Sequence, residues 1–461
     1  MSMFKTIAAI STPRGKGGIA VIRISGDETR EIISKCFRPR RGAEALLPRV
    51  ATYGTVVDPR DGRVVDDGIL TLFPGPASYT GEDVAEISCH GGVYVTGAVL
   101  SAVYAAGAEP AGPGDFTKRA YINGKLTLSR AEAVGKLLDA RTEAQARLAS
   151  AGTRGVLSDR LSAIRGELLT LLSSVYAAID YPDEDMTDVP REELGRRLAA
   201  LQGQVSALAD TYRTGRAVAE GIRTVICGAP NAGKSSVYNL LTASDRAIVT
   251  DVAGTTRDVL EDCVSLGGVT LLLWDTAGLR ETEDTVERIG VQRARAKMEE
   301  AELALAVFDT GRPETEEDRA FCREASRAPA SIALLNKTDK KREMSPAFEA
   351  EIRAAFPHVI ELAAGEGQGR EDVEACIRQM FLAEGLDLGA DPIVSEARQH
   401  AALTRAAESL TAAAAAIGHT EGTDIVGFLA EKALADLEMT DGRAVSDEIV
   451  SEIFHHFCVG K

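Results

Sequence analysis

Residues 228–236 read GAPNAGKSS and stand near the middle of a chain of 461 residues. Gly228 to Ser235 has the spacing GxxxxGK[ST] and follows the apolar run TVIC, residues 224–227. A glycine-rich turn between a strand and a helix lets backbone N–H groups approach phosphate oxygens, and the helix N-terminus adds its positive end. In such a loop Lys234 reaches the β- and γ-phosphates and Ser235 ligates Mg2+, while Asn231, Ala232, Gly233 and Ser236 complete the cradle.

Working outward, apolar runs alternate with helical patterns from Arg223 onward: TVICG, LLLWD, LALAVFD, SIALLN and HVIEL. Runs of this kind predict a largely parallel sheet covered on both faces. Three more signals follow in order. Asp275-Thr276-Ala277-Gly278 ends the run LLLW and sets a carboxylate near Mg2+ and a glycine amide near the γ-phosphate. Before it, 250-TDVAGTT-256 supplies Thr256 for the Mg2+ shell. Asn336-Lys337-Thr338-Asp339 follows SIALL, and the Asp339 carboxylate can accept from guanine N1–H and N2–H2, a pattern that adenine lacks. Together these predict an α/β P-loop GTPase domain of the Ras-like type. The final base-contacting loop, SAK in such proteins, falls at Ala363-Ala364-Gly365, where only the middle residue is kept.

Residue 279 departs from the Ras-like pattern. Many such switches follow DTAG with the glutamine that orients the attacking water; here Leu279 stands there and cannot hydrogen-bond water. The Asn231 side chain offers two readings: a ligand for a monovalent cation beside the phosphates, or a residue that merely stabilises its own loop.

The flanks differ in character. Residues 1–123 combine strand-like IAVIRISG and RVVDDGILTLF with turn-rich stretches such as GPASYTGED. Long helical patterns run from Leu126 to YPDEDMTDVP and on to Glu220, and Ala-rich helix returns after about Asp387 and continues to the end. The economical reading is one helical domain split by an inserted α/β unit. The boundaries are 1–123 for an N-terminal α+β domain, 124–220 and 386–461 for the two helical parts, and 221–385 for the insertion.

The net charge is −17, but residues 1–123 carry 14 Lys+Arg against 13 Asp+Glu. That balance argues against broad nucleic-acid binding, so an RNA partner needs a local basic patch or a second protein. Seven scattered cysteines without a CxxC pair fit a reducing cytoplasm and exclude a disulfide framework. No apolar run approaches the ~18 residues that cross a bilayer, so no membrane association is expected.

The stretches RGKGGIAVIRISG, FPGPASYTGEDVAEISCHGG, PGDFTKRAYINGKLTLSRAEAV, AIDYPDED, AIVTDVAGTTRDVL, DTAGLRETEDTVERIG and IFHHFCVGK together resemble the MnmE (TrmE) family of tRNA modification GTPases, nearly end to end. The resemblance implies an N-terminal folate-binding domain that forms a homodimer, a helical domain and the inserted GTPase. It also implies a partner, the flavoprotein MnmG (GidA), bringing FAD and NADH. With it the family adds an aminomethyl or carboxymethylaminomethyl group to C5 of the wobble uridine (position 34) of certain tRNAs, drawing the one-carbon unit from a tetrahydrofolate derivative (5-formyl- or methylene-tetrahydrofolate).

Residue by residue, the resemblance implies that Asn231 ligates K+ with backbone groups of Thr250, Val252 and Thr255. It implies that Glu287 orients the hydrolytic water, and that Ser235 and Thr256 hold Mg2+. GTP or GDP would further meet Asp251, Ala253, Gly254, Asp275, Thr276, Ala277 and Gly278. Arg23, Glu86, Lys125 and Lys461 would bind folate. By composition alone Glu287 reads as one more solvated helix charge, and the folate set as surface ion-pair members. Cys458 reads either as an inert, partly buried thiol or, in a tail that reaches a site, as a nucleophile or acid in the uridine chemistry. His90, His455 and His456 have poor spacing for a metal. Two other functions compete: a K+-dependent GTPase serving RNA or ribosome assembly, which calls for a basic RNA-binding module that nothing C-terminal is basic enough to be, and a folate-binding scaffold with a vestigial GTPase, against which the intact phosphate, Mg2+ and guanine motifs speak.

Overall fold

A computed structural model of the protein describes residues 4–13, 15–40, 46–180, 190–243, 262–274, 300–417, 423–442, 447–455 and 457–461. The chain divides into two compact units, Met1–Gly135 with Asp441–Lys461, and Lys136–Thr440.

The first unit is built on β1 (Ile7–Ile10), β2 (Ile19–Ser25), β3 (Phe37–Pro39), β4 (Thr52–Val57), β5 (Val64–Phe73), β6 (Val84–His90) and β7 (Glu109–Pro110). They form one sheet in the order β3-β4-β5-β6-β2-β1-β7, antiparallel except for the β1–β7 pair. The period of two decides which face is buried. In β2, Ala20, Ile22 and Ile24 enter a core with Ile32 and Ile33 of the helix Thr29–Cys36 and with Val99 and Val103 of the helix Val93–Ala105. Arg23 therefore points to the opposite face, directly across from Glu86 of β6. The predicted strands IAVIRISG and RVVDDGILTLF are β2 and β5.

The chain is not helical to its last residue. The helix Asp447–His455 ends, and residues 457–461 run against other parts of the same unit. Val459 forms a bridge with Pro113, the Gly460 carbonyl accepts from Ser11 Oγ at 2.9 Å, and the Lys461 carbonyl accepts from the Phe116 amide at 3.2 Å. Gly460 has φ 99°, and a Cβ there would sit 2.3 Å from the Ile10 carbonyl oxygen. Only glycine permits so close an approach.

In the second unit the helical pattern that runs to Asp180 is interrupted. Thr142 caps the helix Glu143–Arg154 in a capping box with Gln145, and Gly155 at φ 89° ends it before the helix Val156–Asp180. The helices Arg191–Asp210 and Tyr212–Ala219 precede the α/β segment, and Ala397–Ala416 and Thr423–Asp441 follow it. One core joins both stretches: Leu161, Leu168 and Leu171, Leu198, Leu201 and Val205, Leu403, Ala406 and Leu410, and Ala433 and Leu437. The buried alanines of Ala397–Ala416 present a thin helix face, which suits close packing of neighbouring axes.

The α/β segment contains β8 (Ile222–Gly228), β9 (Asp262–Leu266), β10 (Val269–Trp274), β11 (Leu303–Asp309), β12 (Ser331–Asn336) and β13 (His358–Leu362). Their order is β13-β12-β11-β8-β10-β9, parallel except for the edge strand β9. Continuous apolar runs arise because alternate residues feed two cores. Leu303, Leu305, Val307, Ile332 and Leu334 face one side with Val237 and Val373; Ala304, Ala306, Phe308, Ala333 and Leu335 face the other with Phe348 and Ile352.

Both chain connections of this segment meet the helix Tyr212–Ala219. It leads directly into β8, and its Thr214 Oγ1 donates to the Phe381 carbonyl at 3.2 Å and accepts from the Ala383 amide at 2.9 Å. Gly215 lies against Val394, where a Cβ would fall 2.0 Å from the carbonyl oxygen.

Leu201 is fully buried between the two helical stretches. Leu201→Ala is expected to lower stability by about 2–5 kcal/mol, the range for a truncated core leucine. Urea unfolding followed by circular dichroism measures this, and a wild-type midpoint would contradict the shared core.

Candidate functional site

The strand β8 ends at Gly228, φ 156°, and the helix Lys234–Thr242 starts after Gly233, φ 101°. No side chain caps that helix and no acidic residue stands in its first turn, so no carboxylate of that turn competes for its leading N–H groups, an arrangement that suits an anion. The Lys234 ammonium folds back over the loop, donating to the carbonyls of Gly228 at 3.0 Å and Ala229 at 2.9 Å. Burial pushes this amine below its ordinary value. Ser235 is exposed in the first turn, a hard oxygen of the kind Mg2+ takes. Ala232 is buried beneath the loop, and Ser236 is half-buried.

Asn336, at the end of β12, is buried and ties the loop down. Its Nδ2 donates to the Ala232 carbonyl at 2.9 Å, and its Oδ1 accepts from the Ala364 amide at 3.1 Å. The weakly matched loop at 363–365 thus meets the guanine motif through its backbone, which residue identity could not reveal. A Cβ at Gly233 would lie 2.1 Å from Asn336 Nδ2, so this glycine is needed for contact as well as for conformation. Lys337, at φ 68°, donates to the Asn231 carbonyl at 2.7 Å and to Asp309 Oδ2 at 2.6 Å. Asp339 is exposed beyond it. Asn231 has φ 60°, and its side chain is exposed. Thr250, Asp251, Val252, Ala253, Gly254, Thr255, Thr256, Asp275, Thr276, Ala277, Gly278, Leu279 and Glu287 lie outside the described residues.

A second cluster forms on the open face of the N-terminal sheet. Arg23 donates through Nε to Glu86 Oε1 at 2.9 Å, with Nη2 of the ion pair 2.8 Å from the same oxygen, and through Nη1 to the Gly460 carbonyl at 3.4 Å. Among the described residues no bond reaches Glu86 Oε2. The guanidinium also lies 5.5 Å from the Tyr79 ring and 5.7 Å from the Phe116 ring. Burial and the Arg23 charge push the Lys461 ammonium below its ordinary value, and Glu86 acts in the opposite direction.

The loop carrying Tyr79 is held by a buried ion pair, Arg119 Nη1 to Glu82 Oε2 at 2.9 Å, and by Asn123 Nδ2 to the Thr80 carbonyl at 2.8 Å. Lys125 donates to the Pro76 carbonyl of that loop at 3.0 Å, which gives it a local partner besides any ligand. Cys458 is exposed rather than partly buried, and is the one exposed cysteine of the seven. His90 pairs with Asp66 at 2.8 Å, and His456 lies outside the described residues. Among the described residues no group of three His, Cys, Asp or Glu side chains could hold a metal. A cavity of about 400 Å3 lined by Asp58, Arg60, Arg63, Val93 and Tyr94 contains none of the sequence-predicted site residues.

Sequence reasoning missed Asp309, Tyr79, Phe116 and Arg119. Asp309 ends the run LALAVFD and reads as a strand terminus; only the parallel register of β11 with β12 brings it beside Lys337.

The strand order, the loop after β8 and the asparagine at the end of β12 define a P-loop GTPase fold inserted in a helical body. A family model described as "GTP-binding protein TrmE N-terminus" matches residues 6–125, and one described as "MnmE helical domain" matches residues 128–458. The chain is 39% identical over 464 residues to the tRNA modification GTPase MnmE of Heliobacterium modesticaldum, covering 99% of each chain. It is also 39% identical over 464 residues to that of Geobacillus kaustophilus, covering 100% of each. The chain belongs to the MnmE (TrmE) family of tRNA modification GTPases. Solved structures similar to part of it include Aquifex aeolicus Era bound to GDP.AlF4- (24% identity, 41% of this chain and 66% of that chain, TM-score 0.26). Another is the G domain of the T. maritima FeoB iron transporter (20% identity, 34% of this chain and 97% of that chain, TM-score 0.26). The fold assignment rests on the strand order, not on these partial likenesses.

Gly233→Ala is expected to drive the Asn336 amide off Ala232 and to weaken GDP binding by about tenfold or more, the cost of a lost buried hydrogen bond. Isothermal titration measures this; wild-type affinity would contradict the close contact.

Proposed function

We propose that the chain is the GTP-hydrolysing, K+-dependent component of a tRNA-modifying complex. In this reading it works with the flavoprotein MnmG, which carries FAD and NADH, on the wobble uridine of certain tRNAs in the cytoplasm. It acts as a homodimer whose N-terminal domains take the one-carbon unit from a tetrahydrofolate derivative. The domain boundaries at 123, 220 and 385 are part of the same proposal. Among the described residues no helix is long and apolar enough to cross a membrane.

The observation that carries the reading is the tie between Asn336 and the phosphate loop, since it joins guanine recognition to phosphate binding in a chain of this family. Lys234 and Ser235 hold the phosphates and Mg2+, and Asp339 selects guanine. K+ beside the phosphates supplies positive charge, with Asn231 as its side-chain ligand and Thr250, Val252 and Thr255 as backbone ligands. Thr256 completes the Mg2+ shell, and Glu287 orients water where Leu279 cannot. The exposed Asn231 side chain suits a ligand role better than a loop-stabilising one.

The Arg23 cluster fits a folate by its donor set. Glu86 Oε2 is available to the aminopyrimidine edge of a pterin, and the set Arg23, Lys125 and Lys461 brings the cations that a folate with its glutamate tail calls for. Cys458, exposed three residues before Lys461, is the thiol proposed to act on the uridine. The net charge of −17 is consistent with much of the tRNA grip lying on the partner.

GTP hydrolysis by the full chain is expected to run in KCl and to be weak in NaCl, and Asn231→Ala is expected to lose the KCl stimulation. Phosphate release measured in the two salts decides it. Equal turnover in both, or full activity of the variant, contradicts the K+ assignment.

A further inference from the structure

The Asp309 carboxylate lies outside every nucleotide motif, yet it is among the most constrained charges of the α/β segment. Its side chain is 7% exposed. Oδ1 accepts from the Gly311 amide at 2.9 Å, so the turn after β11 orients the group, and Oδ2 accepts from Lys337 Nζ at 2.6 Å. The register that pairs Asp309 with Asn336 places it one residue from Lys337 across the ladder.

Lys337 is held in the left-handed region at φ 68°, and Asn231, whose carbonyl it meets at 2.7 Å, lies there too at φ 60°. Neither residue is a glycine, so both conformations need support from their surroundings. The Lys337 ammonium supplies that support by bridging the guanine loop to the phosphate loop. A carbonyl alone is a weak partner for a half-buried ammonium; a carboxylate makes the bridge charge-assisted and directional.

We propose that Asp309 is a positioning residue for nucleotide retention. Its carboxylate anchors Lys337 against the Asn231 carbonyl, so the guanine-recognising loop and the phosphate loop open together or not at all. The proposal rests on the nucleotide-binding reading of the same site. Asp309 touches no nucleotide; it acts through Lys337.

The test is the dissociation rate of N-methylanthraniloyl-GDP from the full-length chain. Asp309→Asn is expected to speed release by about tenfold, as is usual for removing one partner of a charged hydrogen bond. Lys337→Met is expected to speed release at least as much. The double variant is expected to release no faster than Lys337→Met alone, because Asp309 has no other route to the nucleotide. A merely structural aspartate would instead give additive effects, and additivity overturns the proposal. Asp309→Glu, which keeps the charge, is expected to retain slower release than Asp309→Asn; equal release by the two counts against it. Unchanged release from Asp309→Asn, with tight binding by the wild type, overturns this inference alone. Failure of the wild-type chain to bind the probe overturns the nucleotide reading and the inference with it.

Discussion

The buried amide of Asn336 is the interaction on which the nucleotide site depends. It sits at the end of a central strand, donates to the phosphate loop at Ala232 and accepts from the loop at Ala364. The backbone carbonyl of Asn336 takes both the amide (3.0 Å) and the hydroxyl (2.8 Å) of Thr310. Three segments distant in sequence converge on one residue, two on its side chain and one on its backbone. Such an amide is useful only if every partner is present, since an unsatisfied buried polar group costs about 1–3 kcal/mol. Gly233 makes the convergence sterically possible, and the β11–β12–β13 register makes it geometrically necessary.

The N-terminal unit applies a similar logic to a charge. Arg23 emerges from the middle of a strand on the face away from the core, where a guanidinium would ordinarily be solvated. Instead it is flanked by two aromatic rings, bonded to the facing carboxylate, and met by the Gly460 carbonyl. Both of its contacts with Glu86 fall on one oxygen, which orients the carboxylate, and among the described residues the other oxygen has no bond. The loop that brings Tyr79 to this point is itself fixed by Arg119 and Glu82, a buried pair whose value lies in geometry more than in net stability.

Local patterns were the legible part of this chain. The phosphate loop, the Asn336 motif and the five apolar runs announce themselves through spacing and period, and they place the α/β segment correctly between helical stretches that share one core. Long-range pairing was the illegible part. Asp309 reads as the end of a strand, Arg119 carries no signal of its own, and Ala364 reads as a degraded motif. Each gains its role from a partner dozens of residues away. The chain end misled for a related reason: Asp447–His455 carries a helical pattern, but the close approach of Gly460 to Ile10 pulls the last residues out of it. Cys458 is exposed as part of that non-helical tail, which composition could not show.

The central claim is that a guanine-nucleotide switch set in a helical body serves wobble-uridine modification. It is tested most directly by mass spectrometry of nucleosides from bulk tRNA of cells lacking this protein. The account predicts loss of the aminomethyl and carboxymethylaminomethyl groups at C5 of the wobble uridine, restored by the wild-type chain. Wobble uridines that carry those groups at normal levels in the deleted cells would contradict it.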